Sequence, residues 1–306
     1  MGGCYDSRYD SNCYQRPART VNQIESLLEK FFSTHERKHL FDAYRQYLVD
    51  NDQGFIRKVV EMSGSEIKKE FGDYEIEAKL ELSITGKPNL TEIMDAFEFT
   101  PSPAARFLKD ASNLESSGIN HFFGTENGEE RFVVIEKKGK WYLKEKGPRE
   151  PYNLGIPGEE YVMKRKEKRV ETDPLEVAKI ATGSYADGKT SYIGGVSKNR
   201  AEAHLLQTVN GRIYSLTVDE LIRADKSTMV QFEAEYAGYV PKFKTKLNDE
   251  RAAVEDLVAI LKQIVFLYND LELPGGQRLL IKPSQERKFD FVSKGRPLQL
   301  VGAGKK

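Results

Sequence analysis

The chain has 306 residues, 39% hydrophobic and 31% charged, and its 47 basic residues balance its 47 acidic ones. A net charge of zero excludes a global field that draws in nucleic acid or an anionic membrane, so functional electrostatics must be local. No run of about 18 apolar residues is present to span a bilayer, and the two cysteines, Cys4 and Cys13, cannot found a disulfide framework or a four-ligand zinc site.

Residues 1–20 read as a polar, disordered leader without hydrophobic period. It has no apolar core for a secretory signal, and Asp6 stands where a myristoylation site wants Ser or Thr, although Gly2 and Cys4 hint at acylation. A reducing, cytoplasmic setting is expected. Helical spacing starts at Val21, with Ile24, Leu27, Leu28, Phe31 and Phe32 on one face, and continues through Leu40, Phe41, Tyr44, Tyr47 and Leu48. A third helix is expected over 55–71, before Gly72-Asp73.

From Tyr74 the period changes to two. Strands are predicted near 74–84, 118–124, 130–136, 140–146, 160–170, 191–209, 212–219 and 229–240, parted by turn pairs such as Asn127-Gly128, Lys138-Gly139, Asp187-Gly188 and Asn210-Gly211. Helices are predicted over 90–111, broken by Pro101 and Pro103, and over 174–182. A long helix follows, capped by Asn248 or Asp249 and striped by Val254, Leu257, Val258, Leu261, Ile264, Val265 and Tyr268. Pro274-Gly275-Gly276 ends it, and 277–292 reads as a hairpin around Pro283-Ser284. The expected domains are the leader (1–20), a helical segment (21–72), an antiparallel β-domain (73–245) and a C-terminal helix with hairpin (246–306): an α+β fold.

The informative strands carry charge at alternate positions. Glu75, Glu77, Lys79 and Glu81 share one face, and Glu233 and Glu235 repeat the pattern far downstream. Side-by-side carboxylates repel unless a cation balances them, and two such pairs would supply hard oxygen ligands for Mg²⁺ or Mn²⁺. Asp219 offers a further carboxylate. Between them lie basic strands: Lys144 with Lys146; Lys164, Lys166 and Lys168; and Lys198 and Arg200 with Glu202 and His204. Arg131 opens another. A solvated face explains any one of these strands. The whole set, acidic at both ends and basic between, favours an antiparallel barrel with a charged interior.

Glu75-x-Glu77-x-Lys79 resembles the signature of the CYTH superfamily, the triphosphate tunnel metalloenzymes. The resemblance runs on in order over roughly 74–240. His121-Phe122-Phe123-Gly124-Thr125 is similar to the family's Tyr-Phe-Asp-Thr strand. Arg131-Phe132-Val133 falls on its Arg-x-Arg, and Lys144-Glu145-Lys146-Gly147-Pro148 on its Lys-Gly-Pro strand end. Lys198-Asn199-Arg200 is similar to its Lys-x-Arg, Val218-Asp219-Glu220 to its Asp-centred turn, and Glu233-Ala234-Glu235 to its closing Glu-x-Glu. Val133 departs from the second arginine, and Gly124 from the strand aspartate.

The resemblance implies a β-barrel tunnel that hydrolyses the terminal phosphate of inorganic triphosphate, a nucleotide or thiamine triphosphate. It implies Glu75, Glu77, Glu233 and Glu235 as ligands of Mg²⁺ or Mn²⁺. Lys79, Arg131, Lys144, Lys146, Lys164, Lys166, Lys198 and Arg200 would contact phosphate. Glu75, Glu77, Lys79 and Asp219 would form the catalytic group, with Asp219 as ligand or water-orienting base. No duplex nucleic acid and no membrane are expected as partners. An α-phosphate-attacking adenylate cyclase and a catalytically silent polyphosphate- or nucleotide-binding module remain alternatives. No phosphate loop or dinucleotide fingerprint occurs, and the four histidines are scattered. Glu286-Arg287-Lys288-Phe289 reads as part of the terminal hairpin.

Overall fold

The computed structural model describes residues 18–50, 54–99, 105–111, 113–125, 127–181, 190–243, 249–273, 276–284 and 286–295. The leader with Gly2, Cys4 and Cys13, the prolines Pro101 and Pro103, the Asp187-Gly188 pair and Asn248 lie outside the described residues. The elements run α1 (Ala18–Thr34), α2 (Arg37–Val49), α3 (Phe55–Ser63), β1 (Tyr74–Ile84), α4 (Leu90–Ala96), β2 (Phe107–Lys109), β3 (Asn113–Thr125), β4 (Glu130–Lys137), β5 (Lys140–Lys146) and β6 (Glu150–Pro151). They continue through β7 (Val162–Thr172), α5 (Pro174–Ala181), β8 (Thr190–Gln207), β9 (Arg212–Ile222), β10 (Thr228–Tyr239), α6 (Glu250–Tyr268), β11 (Leu271–Leu273), β12 (Gln277–Pro283) and α7 (Lys288–Ser293).

Eight antiparallel strands close on themselves in the order β1-β10-β9-β8-β3-β4-β5-β7, with β7 pairing back onto β1. The fold is α+β, a closed barrel dressed with helices. β1 is shared: its first half pairs β7 from Tyr74 to Ala78, and its second half pairs β12 from Leu80 to Ile84.

Burial on the outside sets which way the strands face. Ile76, Ala78 and Leu80 of β1, Leu216 and Val218 of β9, and Phe232 and Ala234 of β10 are fully buried under Ile93 and Met94 of α4 and Val254, Leu257 and Ile264 of α6. Each large apolar side chain so covered contributes about 1.5–3 kcal/mol. Strand alternation then turns Glu75, Glu77, Lys79, Glu233 and Glu235 inward. A polar clamp fixes α6 in place. Its fully buried Asp256 accepts from the Tyr214 hydroxyl at 2.8 Å and pairs with Arg106.

Helices α1 to α3 form their own cluster, in which Leu28, Phe41, Tyr44, Phe55 and Val59 pack against Leu108, Leu206, Ile213 and Val240. Asp110 joins them by accepting from the Phe55 amide at 3.0 Å and the Tyr47 hydroxyl at 2.7 Å. Helix α3 is shorter than its pattern suggests because Gly64 takes φ 63°, a left-handed cap. No described helix is long and apolar enough to cross a membrane.

Two expectations are corrected. The helix expected over 90–111 ends at Ala96, and Phe107–Lys109 pairs with β8 instead. The tail is not a hairpin around Pro283-Ser284. β12 pairs with β11 and β1, and the chain then turns into α7. α7 enters one end of the barrel, where Phe289, Phe291 and Val292 pack on Phe122, Val133, Val196, Leu221 and Met229. These apolar side chains find no exposed-face alternative, which is why the segment folds as a plug rather than as an edge strand. Gly124 and Gly194 make room for it: a Cβ on Gly124 would lie 2.6 Å from the Phe289 ring, and one on Gly194 2.8 Å from Val292.

Gly124→Val is expected to lower stability by about 1–3 kcal/mol through overpacking. The measurement is the urea midpoint, with the denaturant slope as control. An unchanged midpoint would mean that Phe289 does not occupy this seat.

Candidate functional site

The barrel interior is built by the inward faces of β1, β3, β4, β5, β7, β8 and β10, together with the start of α7. Register places Glu77 opposite Glu235 and Lys79 opposite Glu233. The Lys79 ammonium sits between two carboxylates, 3.0 Å from Glu77 and 2.8 Å from Glu233. On the other flank Glu75 faces Arg165, whose Nε donates to it at 2.6 Å while Nη1 donates to Glu130 at 2.8 Å. The cavity between them measures about 150 Å³ and is lined by eleven basic and five acidic side chains.

Nine of the residues singled out in the sequence line this cavity: Glu75, Glu77, Lys79, Lys144, Lys146, Lys198, Arg200, Glu233 and Glu235. Four do not. Asp219 is fully buried behind the lining, where Nε and Nη2 of Arg200 donate to its two oxygens at 2.6 and 2.8 Å. Lys198 lies 2.9 Å from it, and Lys288 completes its shell. Three cations on one carboxylate make Asp219 an anchor for basic side chains.

Lys164 and Lys166 face outward. Val162 belongs to the outer apolar core, so strand alternation puts Lys164, Lys166 and Lys168 outside and Arg165, Glu167 and Arg169 inside. Lys164 donates to Glu250 at 2.6 Å and lies 4.3 Å from the centre of the Tyr74 ring. Arg131 is displaced by a β-bulge. Phe123 pairs with Phe132 and Gly124 with Glu130, so Arg131 is the extra residue and Glu130 takes the inward place.

Sequence reasoning missed Glu130, Lys137, Arg149, Arg165, Arg169, Arg287 and Lys288 as cavity residues. On β7 nearly every position from Lys164 to Arg169 is charged, so alternation alone gives no inner face. Arg287 and Lys288 ride on the start of α7. Lys288 donates to Glu233 at 2.7 Å and reaches Asp219. The aspartate expected at Gly124 has no room, because Phe289 fills that space.

Electrostatics divides the carboxylates. Burial would push Glu75 up, but Lys146, Arg165 and Lys144 outweigh it and hold it well below the ordinary carboxylate value. The same opposition, with Lys288 and Lys79 prevailing, holds Glu233 low. Glu235 goes the other way: burial first, then the neighbouring Glu75 and Glu77, push it up to about 8. It makes no ion pair with another described residue. Burial lowers Lys198 well below the ordinary amine value, with Lys288 and Arg200 adding to the effect against Asp219.

Among the described residues no three acidic or histidine side chains converge on one metal position. Glu77 and Glu233 are turned to Lys79 instead, and Glu75 to Arg165. The donor set nevertheless fits a hard divalent cation by its chemistry, since Glu235 is a buried carboxylate crowded by Glu75 and Glu77, whose effect Lys144 only partly offsets.

No protein-family model matches the chain, and no curated protein matches it. Among solved structures it is similar to the S. pombe Pct1 RNA triphosphatase in complex with the Spt5 CTD, at 13% identity and a TM-score of 0.29, over 69% of this chain and 89% of that one. It is similar to the S. pombe Pct1 RNA triphosphatase alone at 10% identity and a TM-score of 0.30, over 69% of this chain and 90% of that one. The closed barrel rests on its own strand pairing and draws nothing from these likenesses.

Proposed function

We propose that the barrel is a triphosphate tunnel of the CYTH type that, with Mg²⁺ or Mn²⁺, hydrolyses the terminal phosphate of a triphosphate-bearing substrate. The observation that carries this reading is the cavity lined by eleven basic and five acidic side chains. Asp219, Glu167 and Asp290 behind the lining offset part of that excess, and the remainder favours an anionic ligand. A triphosphate brings about four negative charges, and its hydrolysis needs that charge gripped and held in line.

The roles follow from the contacts. Arg200 keeps Nη1 for a phosphate oxygen while its other two nitrogens hold Asp219, and Arg149 and Arg165 bring guanidinium charge into the cavity. Asp219 holds Arg200, Lys198 and Lys288 in place and is a positioning residue. Lys79 and Lys146 supply point charges near Glu77 and Glu75. Glu75, Glu77, Glu233 and Glu235 would hold the divalent cation, which when bound supplies charge neutralisation at the transferring phosphoryl group. Glu235 keeps a proton at neutral pH while no cation is beside it, and cation binding displaces that proton.

Three outcomes test this reading. Wild-type protein with Mg²⁺ or Mn²⁺ is expected to release phosphate from at least one member of a panel of inorganic triphosphate, nucleoside triphosphates and thiamine triphosphate. Glu77→Gln should abolish release while leaving tripolyphosphate affinity intact, because Lys79 then loses a competitor for the anion. Tight binding without any release, and without cyclic nucleotide, would establish a binding module instead.

Binding itself should follow the facing of the strands. Lys166→Ala, on the outer face, is expected to change tripolyphosphate affinity by less than about twofold. Arg200→Ala, in the cavity, should weaken it by roughly 10- to 100-fold, the value of a charge-assisted hydrogen bond. Equal effects in calorimetry would refute the inward assignment of Arg200.

Glu235 yields a pH signature. Its folded value is raised to about 8, so metal-free stability falls as pH climbs from the ordinary carboxylate range towards 8. Glu235→Gln should flatten that slope in denaturation curves taken from pH 5 to 8.5. At pH 7, Mg²⁺ or Mn²⁺ binding should release close to one proton in wild type and none in the variant, read from calorimetry in buffers of different ionisation enthalpy.

A further inference from the structure

α7 fills the barrel end formed by the finish of β3 and β9 and the start of β8, through Gly124, Leu221 and Gly194. In an antiparallel barrel the start of β5 and the finish of β7 lie at the opposite end, which α7 leaves open. With the terminal phosphate held inside, the group joined to the outermost phosphate lies towards this rim, where α1–α3 cover only the β8–β9 side through Leu206 and Ile213. Two inward positions meet there. Lys144 is paired with Arg169, and Tyr142 is the next inward residue on β5 towards the rim. The Arg169 guanidinium lies over the Tyr142 ring, 4.4 Å from its centre. Arg169 lines the cavity and is exposed, with Tyr142 half-buried beneath it.

A second observation lies on the same wall. Asn120 is opposite Ile135, and Ile135 is opposite Tyr142, so the three form one row across β3, β4 and β5. Asn120 is only 6% exposed and lines the cavity, yet its side-chain amide makes no hydrogen bond to another described residue. Its amide therefore keeps donors and an acceptor available to a ligand in the cavity.

We propose that this rim is a stacking seat for an uncharged planar base, so that the substrate is a nucleoside 5′-triphosphate rather than bare triphosphate. The inference rests on the triphosphate reading above. Aromatic and guanidinium planes are sequence-tolerant stacking partners for any nucleobase, and the Asn120 amide meets the sugar hydroxyls or base edge. The seat selects against a cationic heterocycle, because the charge on Arg169 repels the thiazolium of thiamine triphosphate.

The test is calorimetric affinity of the full chain in EDTA, where no turnover competes. The probes are tripolyphosphate, ribose 5-triphosphate, ATP, thiamine triphosphate and a 5′-triphosphorylated trinucleotide. ATP should bind at least about fivefold tighter than ribose 5-triphosphate, which differs only in lacking the base. Tyr142→Leu should erase that margin and leave tripolyphosphate affinity unchanged, while Tyr142→Phe should keep it. Thiamine triphosphate should show no gain over ribose 5-triphosphate. A trinucleotide that binds tighter than ATP assigns the seat to an RNA 5′ end, and one that binds no tighter assigns it to a free nucleotide; both support a base seat. If tripolyphosphate and ribose 5-triphosphate bind but ATP gains nothing and Tyr142→Leu changes nothing, the base seat alone is overturned. If tripolyphosphate itself does not bind, the triphosphate reading fails with it.

Discussion

The structure depends on one constraint: the outer faces of β1, β9 and β10 are apolar and buried beneath α4 and α6. Most small barrels fill their interior with hydrophobic side chains. Here the hydrophobic free energy is gained on the outside, so alternation drives the charged positions into the lumen. A charged lumen is unfavourable unless its members satisfy one another or a ligand. The ion pairs from Lys79 to Glu77 and Glu233, and from Arg165 to Glu75 and Glu130, meet part of that demand. A cation excess remains among the lining side chains.

Asp219 and Asp256 show how differently two fully buried aspartates are employed. Asp256 ties the outer helix α6 to Tyr214 and Arg106, and so maintains the cover that fixes strand facing. Asp219 ties Lys198, Arg200 and Lys288 together from behind the cavity wall. The first supports the barrel from outside, and the second holds its charged lining from within. Glu235 belongs to neither scheme, since its neighbours Glu75 and Glu77 raise its proton affinity rather than satisfy it.

α7 converts a tunnel into a pocket. Its apolar side chains close one end, and its first residue places Lys288 beside Glu233. The same six-residue helix therefore seals the site and adds a cation to it. Gly124 and Gly194 are small because α7 lies against them, which gives the departure at Gly124 a packing reason within this chain.

Much of this was legible in the residues. The period-two runs located the eight barrel strands, because one apolar face per strand leaves a clear alternation. That alternation also gave the inward set on β1, β10, β5 and β8, where Ile76, Phe232, Leu143 and Ala201 mark the opposite face. It misassigned β7, which is charged on both faces: Lys164 and Lys166, expected at the phosphate, face outward, and pairing with β1 brings Arg165 into the cavity instead. It misled at Arg131, since a bulge shifts alternation by one residue without any local signal. The burial of α7 was likewise invisible, because a short apolar run reads equally as strand or helix until it has something to pack against. The sequence by itself determined the strands, their hydrophobic faces and the kind of charge available. Tertiary structure alone decided which charges meet and which barrel end is closed, because those depend on register, a bulge and the packing of segments far apart in the chain.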